Sequence, residues 1–150
     1  MVPIIVSMLI GVVGLAVVAL LFWSIHRVTV KDEKAKIIAN AIYRGAMTFL
    51  KEEYKIIAVV ICVISALLAF VAGLQLAALI FIGGALLSML TGLLGMLAAT
   101  AANVRTTMAA KEFGEEKAFQ VSFFGGGVMG FAVASFGLIG LSKIFYLFHE

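Results

Sequence analysis

The chain is organised around uncharged stretches that are too long for the core of a small soluble protein. Residues 2–25, 56–103 and 118–142 contain no Asp, Glu, Lys or Arg. A helix of the first length reaches ~36 Å, enough to cross a hydrocarbon layer of ~30 Å. Carrying a charged side chain to the middle of that layer is costly, so the sparse ionisable residues mark where the polypeptide leaves the lipid. Only 13% of the 150 residues are charged, against roughly 25% in an ordinary soluble domain. The expected architecture is all-α: a polytopic membrane protein forming one embedded region, with four transmembrane spans at about 3–25, 56–73, 78–101 and 121–142. The first run reads as a retained helix rather than a signal peptide. It has no charge before Val2, it is long, and it ends at Trp23 followed by His26 and Arg27, which suits an interfacial anchor.

Residues 27–55 are of a different kind, with seven basic and four acidic side chains. Ile37, Ala41, Ile42, Gly45, Phe49 and Leu50 recur near one face at helical period, while Lys36, Asn40, Arg44, Lys51 and Glu52 lie mostly elsewhere. This is an amphipathic helix. No proline or strong turn signal separates it from Ile56, so the spacing predicts one long helix over about 34–74 that enters the membrane near Tyr54. It forms a long cytoplasmic amphipathic extension before the second span. The run from 56 to 103 is too long for one span, and Ala72, Gly73, Leu74 and Gln75 mark the break. A short turn there makes the second and third spans an antiparallel pair. Residues 103–120 are polar again, and the tail IFYLFHE is short and aromatic.

Counting bases orients the chain. Seven Lys and Arg lie in 26–55 and three in 103–120, so ten of eleven fall on one side of a four-span protein. The positive-inside rule makes that side cytoplasmic and places both termini outside.

Small residues suggest where helices meet. Gly84, Ser88 and Gly92 are four apart on the third span, with Gly95 nearby, and Gly126, Gly130 and Ala134 repeat the pattern on the fourth. In lipid, close backbone approach must supply what the hydrophobic effect does not, and small residues permit it. Arg105 follows the third span directly. It reads as an interfacial anchor, or as a brace to an acidic group on a neighbouring helix.

Little else offers chemistry. The net charge of +3 sits beside apolar runs, which argues for membrane orientation and against nucleic acid. Cys62 is the only cysteine and lies in an apolar run, so it forms no internal disulfide. His26 and His149 fall on opposite sides and cannot share a metal. None of the eight acidic residues lies in a span, which disfavours an ion relay built by this chain. Glu52 and Glu53 diverge around the helix; Glu112 and Glu116 belong with Lys111 and Lys117 on a solvated face. Gly125, Gly126 and Gly127 lack the lysine of a phosphate loop. Neither Ser88 nor Ser122 has a base at useful spacing. No catalytic, cofactor-binding or metal residue is assigned.

Three stretches carry a family resemblance: AIYRGAMTFLKEEY (41–54), GALLSMLTGLLGMLAATAANVRTTMAA (84–110) and KAFQVSFFGGGVMGF (117–131). In order and spacing they resemble the N-terminal part of a membrane-bound, ion-translocating inorganic pyrophosphatase. The chain departs from that family's pattern at Arg44, where an acidic residue is frequent, and at Phe124, where arginine is frequent. The resemblance implies homodimeric pumps of many more helices, which hydrolyse magnesium pyrophosphate at the cytoplasmic side and export H+ or Na+. Their Mg2+ and substrate are held by aspartate-rich segments beyond the region matched here, whereas this chain has a single aspartate, Asp32. The resemblance therefore implies an outer-ring portion of a pump, a fragment catalytically incomplete alone. Its partners would be membrane lipid and the pump's remaining helices, and it would bind no Mg2+ by itself. The competing reading is a non-enzymatic four-helix membrane scaffold or partner subunit. A small oligomeric transporter would need more polar groups along the spans than Ser65, Ser88 and Thr91 supply.

Overall fold

The computed structural model describes residues 2–71 and 74–148, and among these the elements are all helical. Helix α1 spans Val2–His26, α2 Glu33–Ala66, α3 Gln75–Phe113 and α4 Glu115–Phe148, and a π-helical turn at Leu67–Val71 extends α2. Four helices are long and apolar enough to cross a membrane. The chain is an all-α, multi-pass membrane protein. The expected stretches 3–25, 78–101 and 121–142 lie inside α1, α3 and α4, and 56–71 lies in α2 and its π turn. Ala72 and Gly73 of the expected break, and His149, lie outside the described residues.

The helices overrun their uncharged stretches. Helix α3 continues ten residues past Asn103, because Ala109 and Ala110 are strong helix formers and Ala102, Met108 and Ala109 are buried. The polar segment 103–120 is therefore the end of α3, a one-residue turn, and the start of α4. That residue is Gly114, with φ 88° and ψ −178°, a conformation open essentially to glycine alone. Its carbonyl accepts from the Ala118 amide at 3.2 Å. Glu115 and Glu116 then occupy the positive first turn of α4. Helix α2 is started by Asp32, whose carboxylate accepts from the amides of Lys34 (2.9 Å) and Ala35 (3.4 Å). The Ala35 and Lys34 amides, with Lys111 nearby, hold the Asp32 carboxyl below its ordinary value.

Helix α1 packs on α4, α4 on α3, and α3 on α2, with α1 only grazing α3. Among the described residues, no Cα of α1 comes within 8 Å of a Cα of α2. The result is an open row of helices rather than a closed bundle, with α2 and α3 the expected antiparallel pair. Buried positions along α4 are Val121, Gly125, Val128, Ala132, Ser135 and Ser142, and along α3, besides Ala78 and Met108, Thr91, Gly95, Ala98, Ala102 and Ala109. On α1 they are Gly11, Val18 and Ile25. These steps of four, three and seven average 3.5 residues, the period of a left-handed coiled-coil seam.

Contacts fix the level of each helix. Gly125 lies against Ala102, and Gly127 against Leu21. Arg27, Arg105 and Gln120 therefore fall within about one turn of a common plane. Helix α2 is out of step with it. The Tyr54 hydroxyl donates to the Met89 carbonyl, fifteen residues before Val104 and so roughly 22 Å along α3 from that plane. Lys51, Glu52 and Lys55, all exposed, stand level with the uncharged middle of α3.

Candidate functional site

The functional candidates lie at the charged end of the row and along its seams. At the charged end, the connector between α1 and α2 meets the turn between α3 and α4 through crossed ion pairs. Lys31 Nζ lies 3.9 Å from Glu112 Oε2, and Lys111 Nζ lies 3.5 Å from Asp32 Oδ2. Pairs this exposed are each worth about 0–1 kcal/mol, so they align the two segments more than they stabilise them. The Arg27 guanidinium stacks over the Trp23 ring at 3.8 Å from its centroid. A cavity of ≈ 320 Å³ lies between these segments, lined among others by Arg27, Lys31, Glu112, Lys117 and Phe124. The connector after α1 and the segment 103–120 thus share one end of the molecule. The expected segment 26–55 does not stay there, because α2 runs back along α3 and carries residues 51–55 to the level of Met89.

This end does not suit a divalent metal. Asp32 and Glu112 each face a lysine, and among the described residues no three His, Cys, Asp or Glu side chains converge. Hard cations such as Mg2+ need several convergent oxygens.

Arg105 stands in register with the α3 seam, but its side chain folds back along the helix. Nη1 donates to the Ala101 carbonyl at 2.9 Å. Nε is buried and has no hydrogen-bond partner among the described residues. The brace to a neighbouring carboxylate is not formed within this chain. Instead Arg105 faces a second cavity, ≈ 240 Å³, which opens where α1 and α2 stand apart over α3.

The small residues divide by face. A Cβ on Gly95 would stand 2.9 Å from Met129 Sδ on α4, and one on Gly92 would stand 3.4 Å from the Tyr54 hydroxyl on α2. Both glycines make room for a neighbouring helix. Gly84, Gly126 and Gly130 have nothing within 4 Å of such a Cβ, and Ser88 is exposed. Those four face away from the chain's other helices. Further close approaches involve residues outside the four-residue stripes. Gly125 would place a Cβ 2.6 Å from Ala102 Cβ, Gly11 one 2.6 Å from Ile139 Cγ1, and Gly140 one 3.1 Å from Leu87 Cδ1. Gly14 sits directly against Ser135. A heptad count, in place of a four-residue one, finds Gly125, Gly11 and Gly14.

Comparison with known proteins places this architecture. The family model described as inorganic H+ pyrophosphatase matches residues 12–150. A K+-insensitive pyrophosphate-energized proton pump of Methanosarcina mazei is 37% identical over 142 residues, covering 93% of this chain and 21% of the relative. A K+-stimulated pyrophosphate-energized sodium pump of Thermotoga maritima is 38% identical over 143 residues, covering 93% and 19%. A K+-insensitive proton pump of Moorella thermoacetica is 36% identical over 138 residues, covering 92% and 20%. The chain spans about a fifth of the length of these relatives.

Proposed function

The chain belongs to the inorganic H+ pyrophosphatase family, and from that premise we propose that it is the outer, scaffolding part of a pyrophosphate-energised H+ or Na+ pump. Pyrophosphate hydrolysis coupled to ion export is the work of the longer assembly, and this portion alone is catalytically incomplete. The observation that carries this reading is the position of Lys51, Glu52 and Lys55. They project from α2 at the level of Met89, where α3 is uncharged. Each such charge costs roughly 2.5–3.5 kcal/mol when left in hydrocarbon. A four-helix scaffold surrounded by lipid would bear that cost on every molecule. Further helices, or the water they enclose, relieve it. The outward stripe of Gly84, Ser88, Gly126 and Gly130 is likewise suited to close contact with helices beyond this chain.

In this reading the end bearing Lys31, Asp32, Lys111 and Glu112 faces the cytoplasm, and the assembled pump is a homodimer. Magnesium belongs with carboxylates supplied elsewhere in the pump, since Asp32 and Glu112 here each face a lysine. This chain contributes packing surfaces and the placement of its neighbours, with no step of the hydrolysis.

Fragment complementation tests it. The purified chain releases no phosphate from magnesium pyrophosphate. Co-expressed with the Thermotoga maritima pump from which the aligned segment has been deleted, it copurifies and restores hydrolysis. Chelator-sensitive phosphate release by the chain alone would overturn the proposal. So would failure of the chain to copurify with the deleted pump.

A further inference from the structure

The cleft between α1 and α2 has the build of a lipid site, and we propose that it binds one anionic phospholipid, with the headgroup phosphate at Arg105 and an acyl chain running down the gap. Helices α1 and α2 do not touch among the described residues, so the surface of α3 between them is left open. The opening contains a cavity of ≈ 240 Å³, about the scale of a phosphodiester headgroup rather than of a helix.

The lining is graded. Phe22 and Leu97 form its apolar part, while His26, Asn40, Tyr43 and Arg105 supply polar groups. His26 Nδ1 donates to the Phe22 carbonyl at 2.9 Å, which fixes the ring against α1 and leaves Nε2 free of that bond. Arg105 has one arm committed to the Ala101 carbonyl, and its buried Nε donor has no hydrogen-bond partner among the described residues. Arg105 lines the cavity, and a phosphate oxygen is the acceptor that a guanidinium suits best.

Charge and depth agree with this occupant. The cavity lining contains no carboxylate. Along α2 no acidic residue occurs between Glu33 and Glu52, and along α3 none occurs before Glu112, while Arg44 adjoins Tyr43. The local field therefore favours an anion. Arg27 and Arg105 lie at the level where the uncharged runs of α1 and α3 end, which is where headgroups stand. A soluble anion would account for Arg105 but not for the apolar lining that Phe22 and Leu97 give the cavity. This proposal does not rest on the pump reading, since the cleft is formed by α1, α2 and α3 of this chain alone.

Native mass spectrometry of the full chain in detergent tests it, with phosphatidylglycerol, phosphatidylcholine and inorganic phosphate as probes. The expected result is one retained phosphatidylglycerol, bound at least about tenfold more tightly than phosphatidylcholine, equivalent to ~1.4 kcal/mol. Arg105→Gln lowers phosphatidylglycerol to the level of phosphatidylcholine. Ala39→Phe fills the cleft from α2 with Arg105 intact and removes the bound lipid, so it decides the matter even where the arginine variant fails to fold. Equal retention of the two lipids overturns the proposal, as does unchanged phosphatidylglycerol binding by Ala39→Phe. Competition by inorganic phosphate at the lipid's own affinity overturns it in favour of a soluble-anion site. A dimer mass lost with Ala39→Phe overturns it in favour of a second copy of the chain.

Discussion

Two adjacent glycines should respond oppositely to the same substitution. In Gly125→Ala the new Cβ stands 2.6 Å from Ala102 Cβ, whereas ordinary carbon contacts lie at ~3.5–4.0 Å. Ala102 Cβ is fixed to its own backbone and has no rotamer through which to withdraw. Helices α3 and α4 must therefore part by about 1 Å, loosening the buried Val128 and Ala132 beyond the clash itself. Overpacking of this kind costs ~1–3 kcal/mol, a change of roughly 5- to 150-fold in the ratio of folded to unfolded chain. Gly126→Ala meets nothing within 4 Å and gains helix propensity of up to ~1 kcal/mol, so it is neutral or stabilising. Reversible unfolding in mixed detergent micelles, followed by fluorescence of Trp23, the single tryptophan, measures both. Adding Ala102→Gly to Gly125→Ala should recover part of the loss through a coupling energy of ~0.5–3 kcal/mol. If the two alanine variants agree within ~0.5 kcal/mol, or the paired change shows no coupling, the seam assignment is refuted.

Two further outcomes follow from the helix ends. Gly114→Ala forces a side chain into a backbone conformation with φ 88° and should cost ~1–3 kcal/mol, read in the same unfolding assay. The Asp32 carboxyl is held below its ordinary value of 3.8, chiefly by the Ala35 and Lys34 amides. A depressed folded value means that its stabilisation is fully present above the unfolded value and is lost as pH falls through the folded one. Melting temperature should therefore drop below pH ~4, and Asp32→Asn, which still caps the helix, should flatten that drop. An unchanged slope in the asparagine variant would separate the acid sensitivity from Asp32.

Much of the fold is legible in the sequence because charge is so costly in lipid. The four helices, the pairing of α2 with α3 and the meeting of Lys31 and Asp32 with Lys111 and Glu112 follow from where ionisable residues stand. Gly114 was also within reach, since a glycine followed by Glu115 and Glu116 is a helix-start signal. The packing seam of α4 was hidden by the choice of face. At 100° per residue Gly126 and Gly130 stand roughly 140° and 180° around α4 from Val121, so that stripe lies opposite the contact that Gly125, Val128 and Ala132 make. The level of α2 was hidden for another reason. Hydropathy reads each helix by itself, and only the bond from Tyr54 to Met89 shows that the charged stretch 51–55 lies beside an uncharged one. The partnerless Nε of Arg105 depends on how a flexible side chain folds, which residue order does not specify.

A connection of one residue leaves α3 and α4 without slack. An axial displacement of either is passed undiminished to the other across Gly114, so the two helices behave as a single folded rod. Neither helix can slide past the other, so any axial movement is made by the pair as one body. With the charged end on the cytoplasmic side, as proposed, Gly114 stays on the side from which the chain is inserted, and it is the far ends of α3 and α4 that cross the bilayer.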